Sequence, residues 1–407
     1  MSALASPAEP APAARSPLVF VVAGEPSGDA LGARLMAALA RATGARVRFA
    51  GVGGRAMTAC GLDSLFPMSE LSLMGLAEII PHIPRVLRRL RETAAAAARL
   101  RPDVVVTIDS PGFSFRLARR IRALGVPMVH YVAPQVWAWR PKRAQTLAGL
   151  YDHLIAVLPF EPAFFAEFGV RCSYVGHPVV EGGFDAGDGA RFRARHGLAP
   201  ETPVVAVLPG SRRGEVDRLL PVYGRALALL APRHAGLRAV VPTTDTVAAR
   251  LGAAVARWPV PAIVVGDPAE HADAFAASRA AITKSGTSTL QLALAGVPMV
   301  VCYRVNPLTA FLARRLITVA NVALVNLLAD EPVVPELLQE RCTPQNIADA
   351  LDALIADEAA RSAQRAALAK VAAGLGTAAG APSELAARIV LDAIEAGAGA
   401  ARRKAGA

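Results

Sequence analysis

Short apolar runs alternate with longer helical patterns along this chain. Mostly apolar runs of strand length are typical of parallel strands that are covered on both faces. In the first half these runs lie at residues 18–23, 47–50, 104–108, 128–132 and 154–158. Helical periodicity separates them, at residues 30–42, 85–100, 115–124 and 162–168. The alternation predicts a doubly wound α/β sheet.

The second half repeats this pattern. Its apolar runs lie at residues 204–208, 239–241, 263–265, 280–282 and 299–301, and one long helical pattern covers 347–373. Between the halves, residues 181–200 are rich in Gly, Asp and Arg and hold no long apolar run, which indicates a domain boundary. The chain is therefore predicted to form two Rossmann-like domains facing a cleft.

We place the predicted units at residues 18–190 and 200–380, after a loose tail over 1–17 that is rich in Ala, Pro and Ser. The remaining segment, 381–407, carries a helical pattern at 384–396. We expect this last helix to be able to cross back onto the first domain.

Composition narrows the class of protein. Of the 407 residues, 53% are hydrophobic and 19% are charged, which favours a packed core over disorder. The sequence contains no run of about 18 apolar residues, so no membrane span is predicted. The first residues lack the basic and apolar segments of a signal peptide. The net charge of +11 favours anionic lipid and phosphorylated ligands. Nucleic acid is not predicted, because no nucleic-acid motif is present and aromatic residues make up only 5%.

Cysteine, histidine and aspartate spacings favour a reduced protein without a metal. The four cysteines lie far apart with no C-x-x-C, as expected of a reduced cytosolic chain with buried thiols. No H-E-x-x-H is present, and no two aspartates stand two positions apart, as the D-x-D that holds a metal–diphosphate requires. We therefore predict no metal and no cofactor.

Two turns in the second half suit a phosphate. Gly210-Ser211-Arg212 follows the run at 204–208, and Ser285-Gly286-Thr287 follows the run at 280–282. A helical pattern begins after each turn, so backbone N–H groups and the positive end of a helix dipole point at one spot. Helix capping explains the Ser and Thr, but the neighbouring arginine favours a diphosphate pocket in which Arg212 stabilises the leaving group.

Two turns in the first half carry acidic groups. The turn at 24–29 follows the first strand, and its small residues, Ser27 and Gly28 among them, let the backbone approach a ligand. Glu25 and Asp29 offer acceptors for sugar hydroxyls there; a tight turn with a helix cap is the alternative. Asp109 follows the run at 104–108, where partial burial would raise its pKa and suit it as a general base. A turn-capping aspartate is the alternative for Asp109.

Several apolar and polar residues are candidates for lipid or sugar contacts, each against an ordinary structural alternative. Leu73 and Met74 lie in an apolar segment, 71–83, beside a basic helix, which is a membrane-surface pattern or a buried helix. The remaining candidates are two tryptophans in a proline-bounded loop, a histidine near the hinge, and two polar residues near prolines that otherwise belong to a solvated loop: Trp137, Trp139, His177, Asn326 and Glu336.

Together these motifs resemble the lipid-A-disaccharide synthase family of glycosyltransferases over most of the chain. The matching stretches are 24–29, 52–54, 73–75, 109–113, 134–139, 158–161, 175–178, 208–212, 285–287 and 334–336. The resemblance implies a GT-B fold and an inverting, metal-independent hexosyl transfer. The donor would be UDP-2,3-diacylglucosamine and the acceptor the 6-hydroxyl of 2,3-diacylglucosamine 1-phosphate (lipid X). The products would be lipid A disaccharide 1-phosphate and UDP.

The resemblance also implies roles for residues. Asp109 would be the base, Arg212 and the N–H groups of 285–287 would hold UDP, and Glu25, Asn326 and Glu336 would hold the donor. Trp137, Trp139 and His177 would face the acceptor or lipid. Gln291 stands where related transferases carry a glutamate that binds ribose, and a neutral amide accepts hydrogen bonds more weakly. Ser114 and Val325 replace a usual Asn and Pro.

The implied location is the cytoplasmic surface of the inner membrane of a Gram-negative bacterium, with peripheral attachment, and a homodimer is left open. Two other functions stay open at this point. One is a UDP-N-acetylglucosamine 2-epimerase of the same two-domain architecture. The other is a catalytically silent nucleotide- or lipid-binding membrane protein. This alternative stays open because Gln291 and Ser114 depart from the residues that are usual in the family.

Overall fold

Two parallel six-stranded sheets form the centre of the molecule. The computed structural model describes residues 16–71, 82–243, 247–306, 310 and 321–405. The first sheet has the order β2-β1-β3-β4-β5-β6 and the second has the order β12-β11-β10-β7-β8-β9. The strands are β1 (Leu18–Ala23), β2 (Arg48–Val52), β3 (Val104–Ile108), β4 (Met128–Tyr131), β5 (His153–Ala156), β6 (Cys172–Tyr174), β7 (Val204–Leu208), β8 (Arg238–Pro242), β9 (Ala262–Val265), β10 (Ala280–Lys284), β11 (Met299–Tyr303) and β12 (Glu336–Leu338).

Helices cover both faces of each sheet. In β1, Phe20 and Val22 pack into one hydrophobic cluster while Val19 and Val21 pack into another, because alternate side chains of a strand point to opposite faces. The helices of the described residues are α1 (Pro26–Ala42), α2 (Arg55–Ala59), α3 (Ile83–Leu100), α4 (Pro111–Ile121), α5 (Ala144–Ala148), α6 (Glu161–Ala166), α7 (Gly189–Arg195), α8 (Arg213–Leu230), α9 (Ala248–Val255), α10 (His271–Ala276), α11 (Thr287–Leu294), α12 (Leu324–Ala329), α13 (Pro344–Ala356), α14 (Glu358–Ala373) and α15 (Pro382–Ala405).

The predicted doubly wound α/β architecture is confirmed, and every predicted strand is present. The sequence patterns missed β6 and β12, each three residues long and each at the edge of its sheet. Edge strands are covered less completely and need no continuous apolar run, so their sequences resemble loops.

The single helix predicted over 347–373 is wrong, because it is two helices, α13 and α14. Asp357 separates them with extended backbone, and its carboxylate accepts hydrogen bonds from the N–H groups of Ala359 and Ala360. The guanidinium of buried Arg361 then donates to the carbonyls of Leu354 and Ile355 at the end of α13. An aspartate N-cap inside an alanine-rich pattern therefore ended one helix and began the next.

The last helix crosses back, as the fold prediction allowed. Ala387 and Val390 of α15 are buried in the same cluster as Leu35 and Leu39 of α1. The crossing is anchored where the domains meet, since the backbone N–H of His177 donates to the carbonyl of Leu375 at 2.7 Å. Of the helices in the described ranges, none combines the length and the hydropathy needed to traverse a bilayer.

Candidate active site

Both sheets have a point where successive strands are added in opposite directions. This switch point lies between β1 and β3 in the first sheet and between β7 and β10 in the second. Ligands of such sheets bind in the crevice outside the carboxyl ends of the strands at the switch point. The turns that follow these strands carry Glu25, Asp109, Arg212 and Ser285. Four of the predicted site residues therefore lie at two switch points.

The Asp109 carboxyl is held in a constrained turn at the end of β3. Asp109 and Ser110 have φ of 50° and 47°, a left-handed conformation that Asp tolerates better than most residues. The hydroxyl of Ser114 donates to the carbonyl of Asp109 at 2.7 Å and supports this turn. Burial raises the pKa of the Asp109 carboxyl, whereas the backbone N–H of Ser110 and the charge of Arg212 oppose that rise. The result is a more basic carboxylate than an exposed aspartate.

Gly24 allows the turn after β1 to approach the Asp109 turn. A Cβ at Gly24 would lie 2.6 Å from the hydroxyl oxygen of Ser110, closer than real side chains come. Glu25 follows directly, and burial and then the Asp109 charge raise the pKa of Glu25, while Arg212 lowers it. The two acidic groups therefore share one electrostatic environment.

An ion pair across the cleft joins the domains. Arg212, just before α8, places Nη2 at 3.5 Å from Glu25 Oε2 and Nη1 at 3.4 Å from Glu215 Oε1. Lys284, the last residue of β10, places its ammonium 2.9 Å from the same oxygen of Glu215. The structure thus brings Glu25, Asp109 and Arg212 together. Sequence reasoning missed Glu215 and Lys284, although a lysine directly before Ser-Gly-Thr was a usable signal.

The turn before α11 has the geometry of an anion site. Gly286 has φ of 141°, and Thr287 begins the helix. The first N–H groups of a helix have no i−4 partner within it, which suits an anion at this turn, although the N–H of Thr289 already donates to the carbonyl of Gly286 at 3.0 Å. The hydroxyl of Ser285 instead donates to the carbonyl of Val322 at 2.6 Å and fixes the turn. Gln291 lies one turn further along α11 and is half-buried.

The predicted sugar contact of Asp29 is wrong. Its buried carboxylate accepts hydrogen bonds from the backbone N–H groups of Gly54, Ala56 and Met57, at 2.8–3.0 Å. These groups begin α2, and a carboxylate at a helix N-terminus is stabilised there. Nearby Ser27 is exposed in the first turn of α1, and Gly28 is buried against β3, where a Cβ would lie 3.5 Å from the carbonyl of Ile108.

Buried Asn326 and half-buried Glu336 form a hydrogen-bonded network and not the solvated loop that composition favoured. The amide of fully buried Asn326 donates to the carbonyl of Val334 and to Glu336, and accepts from the N–H of Val334, all at 2.9 Å. Glu336 also accepts from the N–H groups of Val322 and Ala323. Because the carbonyl of Val322 accepts a hydrogen bond from the hydroxyl of Ser285, this network supports the turn before α11. Asn326 has no exposed surface left for a sugar in this conformation.

The tryptophan loop rests on a buried glutamate that sequence reasoning did not assign. Trp137 donates from its indole N–H to Glu161 at 3.2 Å and packs edge-to-face on Phe160. Glu161 also accepts from the N–H groups of Val157 and Leu158, and burial raises its pKa to about 7. Trp139 differs, because it is 39% exposed.

His177 lies beside Leu375, where the two predicted domains meet, and not on an open surface. It is buried, its Nδ1 accepts from the N–H of Val179 at 3.1 Å, and burial lowers its pKa to about 4, so the ring is neutral at pH 7. These contacts favour a structural role for His177 at this junction.

The lipid-facing candidates Leu73 and Met74 lie outside the described residues. The adjoining helix α3 is described, and it exposes Ile83 and Leu87, at 42% and 39%, four positions apart. Exposed arginines lie on the same helix, at Arg85, Arg88 and Arg91. Apolar side chains beside basic ones fit an interfacial helix.

The family model described as lipid-A-disaccharide synthetase matches residues 19–390. The chain belongs to this family. The lipid-A-disaccharide synthase of Rhodospirillum centenum is 53% identical over 379 residues, which cover 93% of this chain and 94% of that protein. The lipid-A-disaccharide synthase of Paramagnetospirillum magneticum is 49% identical, over 93% of this chain and 98% of that protein.

Solved structures show the fold at much lower identity. The UDP-GlcNAc 2-epimerase of Neisseria meningitidis bound to UDP-GlcNAc superposes with a TM-score of 0.59 at 11% identity, over 92% of this chain and 98% of that one. Acinetobacter baumannii MurG has a TM-score of 0.56 at 14% identity, over 92% and 99%. The epimerase likeness is one of fold, whereas membership of the lipid-A-disaccharide synthase family makes this chain a glycosyltransferase.

Proposed function

We propose that this chain transfers 2,3-diacylglucosamine from UDP-2,3-diacylglucosamine to the 6-hydroxyl of lipid X, with inversion, giving lipid A disaccharide 1-phosphate and UDP. The observation that carries the proposal is the position of Asp109 in one switch point, opposite Arg212 in the other. A base and a leaving-group cation on the two sides of one cleft are what an inverting transfer needs.

The base is Asp109. As the acceptor oxygen forms its bond to the anomeric carbon, the 6-hydroxyl proton moves to the Asp109 carboxylate. Burial raises the pKa of this carboxyl and makes proton acceptance more favourable. Arg212 opposes that rise but keeps the carboxylate ionised before reaction, since a neighbouring cation favours the charged form.

The leaving group is UDP. The bond between the anomeric carbon and the β-phosphate oxygen breaks, and negative charge grows on the diphosphate. Arg212 and the starts of α8 and α11 face the switch point between β7 and β10, where this charge would develop. Fixed cations and N–H dipoles stabilise such charge without reorganising. Glu25, Gln291 and Glu336 are proposed to bind the sugar and ribose hydroxyls around this point.

Peripheral attachment to the cytoplasmic face of the inner membrane completes the proposal. Both substrates carry acyl chains, and each buried CH₂ contributes about 0.8 kcal/mol to membrane association. Exposed Ile83 and Leu87 beside the arginines of α3 support a lipid-facing surface. Trp139 adds an exposed aromatic ring, with the guanidinium carbons of Arg140 and Arg143 at 4.9 and 5.4 Å from its centre.

Mass spectrometry of the product made from defined donor and acceptor tests this function. We expect one disaccharide 1-phosphate and one UDP for each donor consumed. Formation of the 2-epimer from UDP-N-acetylglucosamine, without a disaccharide, would instead establish the epimerase. UDP binding without any product from either substrate would establish a silent binding protein.

A further inference from the structure

A second cation lies beside Arg212 at the switch point of the second sheet. The ammonium of Lys284 is 2.9 Å from Glu215 Oε1, and Arg212 Nη1 is 3.4 Å from the same oxygen. The side chain of Lys284 is only 18% exposed. Because Thr283 pairs with Leu208 across β10 and β7, the turns that begin at Lys284 and at Pro209 start side by side.

Lys284 lies over the Ser285-Gly286-Thr287 turn. A Cβ at Gly286 would be 3.3 Å from Cε and 3.5 Å from Nζ of Lys284. The ammonium is therefore directed over the same glycine whose backbone opens α11. A cation above the start of a helix creates a position where the charge of a side chain and the positive end of a helix dipole converge.

The carboxylate of Glu215 occupies this position. Among the described residues, it is the only carboxylate that forms ion pairs with both Lys284 and Arg212. It is the third residue of α8, and one of its oxygens is so close to Gly210 that any side chain there would overlap it. That oxygen, Oε2, is buried and has no hydrogen-bond partner among the described residues. The carboxylate therefore shows that negatively charged oxygens are accommodated at a helix start between Lys284 and Arg212, which is the environment that phosphate oxygens need.

We propose that Lys284 is a second diphosphate-binding residue, which contacts non-bridging oxygens of the nucleotide together with Arg212. Glu215 keeps both cations directed at the turn when the cleft is empty. The inference rests on the proposed function in so far as the diphosphate is that of the sugar nucleotide. A compact ammonium and a planar guanidinium complement each other here, since one supplies a point charge and the other a fork of donors.

A purely structural role is the alternative, in which Lys284 only neutralises buried Glu215. The two roles differ in how binding depends on phosphate number. A ligand-contacting lysine affects UDP more than UMP and leaves uridine unchanged. A lysine with a purely structural role affects the binding of all three ligands, UDP, UMP and uridine, alike.

Calorimetric binding of UDP, UMP and uridine to Lys284→Met and Lys284→Arg makes this test. Lys284→Met is expected to weaken UDP binding about tenfold, which corresponds to about 1.4 kcal/mol, with uridine unchanged. Lys284→Arg is expected to keep most of the affinity, because it keeps the charge. The matched control is Lys370→Met, at an exposed lysine of α14, which should bind like the wild type.

The inference is overturned if Lys284→Met binds UDP within twofold of the wild type, or if it weakens the binding of UDP and of uridine by the same factor. Disaccharide formation by the wild type is measured on the same preparations. If the wild type makes no disaccharide but UDP affinity depends on Lys284, the proposed function fails and the diphosphate role stands. If the wild type makes disaccharide and Lys284→Met binds UDP normally, only the inference about Lys284 fails.

Discussion

Replacing Asp109 by Asn removes the proposed base and little else. The amide has nearly the shape of the carboxyl but cannot accept the proton of the acceptor hydroxyl at neutral pH. Asn also tolerates the φ of 50° at this position, whereas Ala would add a backbone cost of roughly 1–2 kcal/mol and confuse the result. The substitution therefore separates proton transfer from folding.

The expected loss follows from the environment of Asp109. General base catalysis contributes about 10²- to 10⁴-fold, or about 2.7–5.4 kcal/mol of barrier. Burial is the largest influence on the pKa of Asp109 and raises it, so this carboxylate is a stronger base than an exposed one. We expect kcat to fall about 10³-fold, in the middle of that range. UDP affinity should change little, because Arg212 and both helix starts remain.

The assay is the initial rate of disaccharide formation in mixed micelles, with UDP affinity measured by calorimetry. The control is Asp330→Asn, which makes the same chemical change at an exposed residue with φ of 55°, at the end of α12. A rate for Asp109→Asn within threefold of the wild type would refute the assignment. An equal loss in Asp330→Asn would show that the change in backbone or charge, and not the base, was responsible.

The same carboxyl predicts a pH dependence of the wild type. Only ionised Asp109 can accept the proton, so kcat/KM should fall as the pH is lowered through its pKa. Since burial raises that pKa above the ordinary 3.8, the decline should begin at a higher pH than for an exposed aspartate. A rate that stays constant down to pH 4 would contradict this environment.

Two further predictions concern the membrane face and the tryptophan loop. The double substitution Ile83→Ser, Leu87→Ser should weaken binding to anionic vesicles roughly 30-fold in sedimentation assays, because the exposed two-fifths of each side chain contributes about 1 kcal/mol. The control Leu229→Ser, at an equally exposed residue of α8, should not weaken it. Equal effects of the two changes would argue against a lipid-facing α3. The pKa of Glu161 is raised by burial from 4.5 to about 7, so its proton stabilises the fold fully below pH 4.5, and that contribution is lost as the pH rises through 7. The difference in unfolding free energy, wild type minus Glu161→Gln, should thus fall by about 3 kcal/mol between pH 4.5 and pH 8 in denaturant titrations, and a pH-independent difference would contradict it.

The alternation of strands and helices and the positions of the turns could be predicted from local sequence. These features are local, because an apolar run shows a buried strand and a Gly-Ser-Arg or Ser-Gly-Thr turn shows where a helix starts. The short edge strands β6 and β12 were missed for the same reason, since they depend on neighbouring strands more than on their own residues. The division of 347–373 at Asp357 was also missed, because alanine-rich periodicity continues across the cap.

Which polar residues lie together follows from the folded structure and could not be predicted from the sequence. Asp29 and Asp109 both come after buried strands, and both were candidates. The carboxylate of Asp29, however, accepts hydrogen bonds from three backbone N–H groups at the start of α2, whereas the charge of Arg212 acts on the carboxylate of Asp109. Glu25 and Arg212 are 187 positions apart, and Lys284 and Glu215 are 69 apart. The free energy of a carboxylate depends on its burial and on the charges and donors within a few ångströms, and chain folding, not local sequence, brings those neighbours to it.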